Sequence, residues 1–157
     1  MKIGFIVGFT MRAILILILA VTVAQAHGIR LSQWVIDGWN MDSGLPQNTI
    51  TSIAQTPDGY LWLATRAGIA RFDGVRSRVF DRSSIPGLGT NIITKLHTDG
   101  GAGFWAAPLE LGLIHFDGLT WSRFDQQSGL PDREIAAFHS GPGGKLWVAP
   151  YRGGLLE

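Results

Sequence analysis

The chain has 157 residues, no cysteine and a formal net charge of +1. This length allows one domain with a buried core. The absence of cysteine excludes a disulfide scaffold, a thiolate metal site and a cysteine nucleophile. The near-neutral charge and the lack of a Lys/Arg run argue against nucleic-acid binding.

The first predicted element is an export signal over residues 1–26. Lys2 and Arg12 precede an unbroken apolar run at residues 13–21, and the small-residue ending AQA closes the segment at Ala26. This is the layout of a secretory signal peptide. The apolar run is shorter than the about 20 residues that a membrane-spanning helix needs. We therefore predict cleavage after Ala26 and a periplasmic or secreted chain, with a retained N-terminal anchor as the alternative.

The remaining sequence repeats with a period of 42 to 44 residues. Trp62, Trp105 and Trp147 are spaced by 43 and 42 residues, and RFDG at 71–74 returns as HFDG at 115–118. SGLP at 43–46 reappears two periods later, at 128–131. These markers divide the chain into a leading strand segment at 27–42, repeat 1 at 43–84, repeat 2 at 85–127 and a truncated repeat 3 at 128–157.

Each repeat is predicted to form four short antiparallel strands. The runs ITSIAQ, YLWLAT, GIARFD and RSRVFD are rich in β-branched and aromatic residues and are bounded by Gly, Pro or Asp, which is typical of strands. Asp58-Gly59 and Asp73-Gly74 supply the positive-φ positions of hairpin turns. Repeats of this length are typical of propeller blades. The predicted fold is all-β, an incomplete β-propeller of about three four-stranded blades.

The repeated Trp is predicted to pack between blades. In YLWLA both alternating faces are apolar, as in a strand that is covered on both sides. Core packing therefore explains Trp62, Trp105 and Trp147 better than a stacking platform for sugars or bases. Propellers typically close with four to eight blades, so we expect the outer faces to pack against further blades or another copy of the chain.

The stretch SGLPQNTITSIAQTPDGYLWLATRAGIARFDG at 43–74 closely resembles the two-component regulator propeller repeat, found in periplasmic sensor regions of bacterial hybrid histidine kinases and some diguanylate cyclases. The segment QWVIDGWNMDSGLP at 33–46 resembles the start of those sensors. The resemblance implies a non-enzymatic sensor region that senses a ligand or relays a signal. It also implies that this chain is an N-terminal fragment.

Full-length relatives in that family continue into a β-sandwich, an inner-membrane helix and a cytoplasmic output domain. None of these segments follows repeat 3, so kinase or cyclase activity is not predicted for this chain. Membrane contact is expected only through an uncleaved N-terminus or a missing downstream helix. All three repeats depart from the family pattern after the Trp strand, where Gly-Thr is replaced by Ala64-Thr65, Ala106-Ala107-Pro108 and Val148-Ala149-Pro150.

No catalytic residue, metal site or cofactor is predicted. None of His27, His97, His115 and His139 stands at a metal-ligand spacing with another His or a carboxylate, or in a triad. His115 occupies the place of Arg71 in its repeat and is predicted to face solvent. The four Asp residues that precede Gly are explained as turn residues: Asp58, Asp73, Asp99 and Asp117.

Six polar positions are predicted to line one rim of the propeller, where the loops entering the first strand meet the loops between the second and third strands. They are Asn48, Asn91 and Arg133 on the first set, and Arg66, Glu110 and Arg152 on the second. This rim is a hypothetical binding site for a small polar ligand such as a saccharide or an organic acid. The competing explanation is that rim loops are polar because water surrounds them.

Two other functions stay open at this point. One is a fragment of a secreted, lyase-like propeller enzyme, although the repeats lack the matched His and carboxylate cluster that such chemistry needs. The other is a short interaction protein that completes its ring by self-association.

Overall fold

The computed structural model describes residues 36–157, so the predicted signal and its cleavage site lie outside the described residues. The described chain is all-β and contains two four-stranded antiparallel sheets and one two-stranded sheet. This confirms the predicted class, an incomplete propeller. Within residues 36–157 no helix is long and apolar enough to cross a membrane.

Each full sheet is a meander in which the strands pair in chain order. Blade 1 comprises β1 (Ile50–Gln55), β2 (Leu61–Thr65), β3 (Gly68–Phe72) and β4 (Ser77–Phe80). Blade 2 comprises β5 (Ile93–Thr98), β6 (Phe104–Pro108), β7 (Leu113–Phe116) and β8 (Trp121–Phe124). The third sheet comprises β9 (Ile135–Ser140) and β10 (Leu146–Pro150). A bridge joins Val148 to Leu156, where a third strand of that sheet would pair.

Residues 36–42 of the predicted leading strand segment form no strand. Met41–Ser43 is a short 3-10 helix, and the Asn40 side chain accepts a hydrogen bond from the Ser43 backbone N–H at 3.1 Å. The Ser43 hydroxyl in turn accepts from the Asn40 N–H. Such local side-chain bonds to the backbone compete with strand pairing. The part of this segment before residue 36 lies outside the described residues.

The first strand of each full blade, which we call its inner strand, carries a β-bulge at the same position. A bulge lies between Ile50 and Ser52 in β1, and another lies between Ile93 and Lys95 in β5. The Thr51 hydroxyl on the first bulge donates to the Ala64 carbonyl at 3.1 Å and to the Ile93 carbonyl of blade 2 at 2.7 Å. Bulges increase local twist, and this one also brings a hydroxyl to the neighbouring blade.

The main core lies between blade 1 and blade 2. Trp62 on β2 is 2% exposed, and its ring centroid lies 4.5 Å from that of Phe104 and 5.4 Å from that of Phe116. Its indole N–H donates to the hydroxyl of Thr56 at 3.0 Å, which satisfies the polar group of a buried Trp. Trp62 is therefore inter-blade core, as predicted.

The exposure of the repeated Trp depends on the sheet beside it. Trp62 faces a complete four-stranded sheet and is almost fully buried, whereas Trp105 packs beside a smaller cluster that includes Val148 of the third sheet. Trp147 on the third sheet is 38% exposed. Three equivalent residues thus differ in burial because their neighbouring sheets differ.

This difference in burial predicts that replacing the repeated Trp by Ala lowers the free energy of unfolding by unequal amounts. Trp62→Ala should lower the free energy of unfolding by about 3–5 kcal/mol, the usual cost of removing a large buried aromatic side chain. Trp147→Ala is the matched control and should cost clearly less, because solvent already reaches its ring. Urea denaturation of both variants measures the difference, and equal losses would contradict the assignment of Trp62 to the inter-blade core.

A glycine stands at the first residue of β3 and directly before β7, in each case at a point of close backbone approach. Gly68 has φ +128°, and a Cβ there would lie 2.5 Å from the Phe80 carbonyl oxygen. Gly112 has φ +90°, and its Cβ would lie 2.3 Å from the Phe124 carbonyl oxygen. Positive φ disfavours every other residue, and the contact leaves no space for a side chain. The repeat therefore requires glycine here.

Gly68→Ala should accordingly destabilise the chain more than Gly74→Ala. Both glycines have positive φ, but no atom lies within 4 Å of the position of a Cβ at Gly74. The two variants share the backbone strain of about 1–2 kcal/mol, and only Gly68→Ala adds an overpacking cost of about 1–3 kcal/mol. Thermal and urea denaturation should separate them, and identical stabilities would show that the close approach relaxes freely.

Candidate functional site

One rim of the sheets is formed by the loops that the sequence singled out. The Leu109 N–H after β6 donates to the Ile92 carbonyl at 2.9 Å, and the Tyr151 N–H after β10 donates to the Glu134 carbonyl at 3.0 Å. In blade 1, the Arg66 N–H donates to the side-chain oxygen of Gln47 at 3.1 Å. Each hairpin after a second strand is therefore tied to the segment that enters a first strand.

Two of the six predicted rim residues support the backbone. The Asn48 side-chain oxygen accepts from the Met41 N–H at 2.8 Å, and the Asn91 side-chain oxygen accepts from the Arg82 N–H at 2.9 Å. The two asparagines are one period apart and hold equivalent turns. Their amide oxygens are thus committed to hydrogen bonds within the chain.

A cavity of about 110 Å³ opens at this rim between blade 2 and the third sheet. We call it the rim cavity. Its walls come from the start of β5, from the end of β6 and the hairpin after it, from the start of β9 and the residue before it, and from the residue after β10. It is lined by Thr94, Lys95, Pro108, Leu109, Glu110, Glu134, Ile135 and Tyr151.

Of the six predicted residues, the rim cavity contains only Glu110. Arg133 and Arg152 are exposed and are the direct sequence neighbours of the lining residues Glu134 and Tyr151. Arg66 is exposed on the hairpin of blade 1. The rim cavity thus includes one of the six predicted positions and lies directly beside two others.

Four polar lining residues were missed by the sequence analysis. They are Thr94, Lys95, Glu134 and Tyr151. A signal for Lys95 was available, because it occupies the position of Ser52 in repeat 1, where a hydroxyl bonds to the next blade. A charged side chain in place of this hydroxyl cannot repeat the same hydrogen bond and marks a change at the junction between sheets.

Glu110 holds an uncommon backbone conformation. Its φ of +55° makes it the one non-glycine residue with positive φ among residues 36–157. Glutamate is not among the residues that favour this region, and such strain is concentrated at functional loops. Within the same range, Lys95, Glu110 and Glu134 belong to none of the ion pairs. The charges of the rim cavity are therefore available to a ligand.

At the opposite rim the Asp-Gly turns behave as predicted. The Asp73 carboxylate accepts from the backbone N–H groups of Val75 and Arg76, at 2.8 and 2.6 Å. In blade 2, backbone hydrogen bonds from Thr120 and then Leu119 lower the pKa of Asp117 to about 2. These carboxylates stabilise turns and are poor candidates for proton transfer near neutral pH.

The sequence analysis predicted that His115 faces solvent, but its ring is paired with a carboxylate and partly buried. Its Nε2 lies 2.9 Å from the Asp99 carboxylate, its ring lies 4.4 Å from that of Trp105, and it is only half-exposed. The prediction was wrong because the carboxylate is 16 residues away in sequence, on the turn that follows β5. Antiparallel pairing of β6 with β7 brings the two residues together.

His97 and His139 form a second pair, which the sequence analysis did not predict. Their ring centroids lie 4.6 Å apart, on the adjacent inner strands β5 and β9. They are one repeat period apart in sequence, which was the available signal. Burial, and then the nearby His139, lower the pKa of His97 below its ordinary value of 6.5. In the described part of the chain, no group of three or more His, Cys, Asp or Glu residues could hold a metal ion.

Comparisons with known proteins agree with the sequence repeat and with the packing of the sheets. The family model for the two-component regulator propeller matches residues 44–67. The structure is similar to the extracellular domain of BT3049 from B. thetaiotaomicron, assigned to a hybrid two-component system, with 26% identity and a TM-score of 0.66 over 78% of this chain. No curated protein sequence matches the chain.

Two structures of the extracellular domain of BT4673 from the same organism share the fold at 20% identity. One is assigned to a one-component and the other to a hybrid two-component system, with TM-scores of 0.59 and 0.60 over 71% and 82% of this chain. The present chain spans less than a fifth of the length of each of these neighbours, with coverage of 18%, 17% and 19%.

The stacked meanders therefore define the chain as part of a β-propeller. More particularly, residues 44–67 match the family model of the two-component regulator propeller, which confirms the resemblance seen in the sequence.

The His97–His139 pair predicts that stability depends on pH. Because the pKa of His97 is lowered in the folded chain, the unfolded state binds more protons below pH 6.5, and the free energy of unfolding should fall as the pH is lowered through that region. His97→Gln should flatten this slope. Four aspartates also have a pKa that is lowered from 3.8, so their effect on stability falls at a lower pH than that of His97. They are Asp73, Asp81, Asp99 and Asp117.

His139→Gln provides the matched test of the cause. It should raise the pKa of His97 only part of the way to 6.5, because burial is the larger cause and is retained. NMR titration of the imidazole signals, together with thermal melts at several pH values, measures both effects. A His97 that titrates at its ordinary pKa in the unmodified chain would refute this account.

Proposed function

We propose that the chain is part of the periplasmic sensor domain of a two-component signalling protein, and that it binds a ligand without catalysing a reaction. The observation that supports this most is its likeness, in both sequence repeat and blade packing, to extracellular domains assigned to such systems. The predicted signal peptide supports a periplasmic location, since export is what a sensor of external molecules requires.

The ligand that the rim cavity fits best is an uncharged saccharide. Its walls carry two carboxylates, Glu110 and Glu134, and one ammonium group, Lys95. The net negative charge disfavours an organic acid, because like charges repel in a partly desolvated site. Carboxylates accept hydrogen bonds from hydroxyl groups, and Lys95 donates them. Tyr151, 68% exposed, offers an aromatic ring at the mouth of the cavity.

Signal relay is proposed to use the packing between blades. The rim cavity lies between blade 2 and the third sheet, so a ligand there contacts both. A bound molecule that fits only one spacing of these sheets would favour that spacing. The hydrogen bond from the Gly112 N–H to the Arg133 carbonyl, at 2.8 Å, already links the two sheets near the cavity.

A further sheet is proposed as the structural partner of the third sheet. Trp147 is 38% exposed, and Leu155 is 66% exposed. The equivalent face of blade 1 is covered by blade 2 through Trp62 and Phe104. A sheet of the same kind, from further blades or from another copy of the chain, would cover Trp147 in the same way.

Substitution of the cavity carboxylates tests the ligand proposal. Glu110→Gln and Glu134→Gln should each weaken binding of a neutral saccharide by about tenfold, because a charged acceptor forms the stronger hydrogen bond. Isothermal titration calorimetry with a panel of mono- and disaccharides and of organic acids measures this. Glu157→Gln is the control, since Glu157 pairs with Lys145 and does not line the cavity.

Arg66→Ala and Arg152→Ala then test whether the rim beyond the cavity contributes. A loss of affinity in these variants alone would move the site to the exposed arginines. Unchanged affinity in all four variants, or binding of organic acids in preference to saccharides, would refute the proposed site.

A further inference from the structure

A second charged cavity lies on the opposite rim of blade 1. It has a volume of about 230 Å³ and is lined by Tyr60, Arg71, Asp73, Arg76, Ser77 and Arg78. Three of these residues are arginines, which we call the arginine cluster: Arg71, Arg76 and Arg78. The turns that form this cavity follow β1 and β3, whereas the rim cavity is formed by loops at the other ends of the strands.

Aromatic rings hold two of the guanidinium groups. Arg71 lies over the Tyr60 ring, with its Cζ 4.4 Å from the centroid, and Arg78 lies over the Phe80 ring at 5.0 Å. Stacking on a ring fixes the plane of a guanidinium but leaves its N–H groups, which point along the edge of that plane, free to donate. Arg71 and Arg78 are thus positioned in advance of any ligand.

The arginine cluster lacks matching negative charge. Among residues 36–157 none of the three forms an ion pair. The single carboxylate in the cavity wall is that of Asp73, whose Oδ1 accepts from the backbone N–H groups of Val75 and Arg76. Three cations therefore face one anion that is already engaged in a turn.

The sheet register places two of these cations side by side. Arg71 on β3 and Arg78 on β4 are direct cross-strand partners. Side chains of such partners project from the same face about 5 Å apart, and like charges in this arrangement are destabilising. An anion between them would replace repulsion with two charge-assisted hydrogen bonds.

Blade 2 shows that the fold does not require this charge. The positions of Arg71 and Arg78 are occupied there by His115 and Ser122, which are also direct cross-strand partners. His115 is paired with Asp99, whereas the equivalent position in blade 1 is the uncharged Thr56. The same strands thus form with a histidine bonded to a carboxylate in one blade and with two arginines outside any ion pair in the other.

From these observations we propose that the arginine cluster is a binding site for a phosphate group, free in solution or carried by a lipid headgroup. The planar N–H forks of Arg71 and Arg78 would each bind two phosphate oxygens, and Arg76 would supply a third cation. The site is separate from the rim cavity and does not depend on the saccharide proposal.

Titration of the whole chain with inorganic phosphate at low ionic strength tests the site. Isothermal titration calorimetry should detect binding, and Arg71→Gln or Arg78→Gln should weaken it by about tenfold or more. Arg71→Lys should lose affinity as well, because an ammonium keeps the charge but not the fork. Arg82→Gln is the control, an exposed arginine outside the cavity that should bind as the unmodified chain does.

A second measurement distinguishes the sources of the phosphate. Phosphatidylcholine vesicles with and without phosphatidylglycerol are sedimented with the chain and with each variant. Binding to the anionic vesicles that is lost in Arg71→Gln and Arg78→Gln supports a lipid headgroup, whereas binding to inorganic phosphate alone supports a soluble ligand. No binding in either assay, or equal losses in Arg82→Gln, would overturn the proposal.

Discussion

The structure depends on one constraint: a blade cannot bury both of its faces alone. In β2 of blade 1, Trp62 projects toward blade 2 and Leu63 toward the opposite side, and both are buried. The first needs the neighbouring sheet, and the second packs with Leu45 and Phe72 of its own repeat. Burial on this scale is the main favourable term in folding, so each sheet is stable only when another sheet covers it.

This constraint separates the positions of a repeat into two kinds. Strand interiors and the glycine at the first position of the third strand, or directly before it, recur because packing and backbone geometry allow few alternatives. The strand ends vary together, since Thr56, Tyr60 and Arg71 of blade 1 are replaced by Asp99, Gly103 and His115 in blade 2. Loss of the Tyr side chain at Gly103 makes space for Asp99, whose carboxylate then meets His115. Such coordinated replacement alters charge without altering the sheet.

The same division explains what the sequence could predict. Period, strand number and the buried Trp follow from local alternation and turn residues, which the sequence shows directly. The leading strand was not found in residues 36–42, because Asn40 and Ser43 bond to the local backbone instead. The rim cavity needs Lys95, Glu134 and Tyr151 from different elements, and no spacing rule brings these together. His97 and His139 were accessible in principle, since equivalent positions of neighbouring repeats meet on adjacent inner strands.

The two cavities follow from this arrangement. Side chains that pack between the blades are committed to burial, so charge varies at low cost in stability toward the two rims, in the loops and the strand ends beside them. The rim cavity carries a net negative charge between two sheets, whereas the arginine cluster carries a net positive charge on blade 1 alone. The ligand proposed for the rim cavity would contact two sheets, whereas the phosphate group proposed for the arginine cluster would contact blade 1 alone. Of the two proposed ligands, only the first is therefore placed to favour one spacing of the sheets over another.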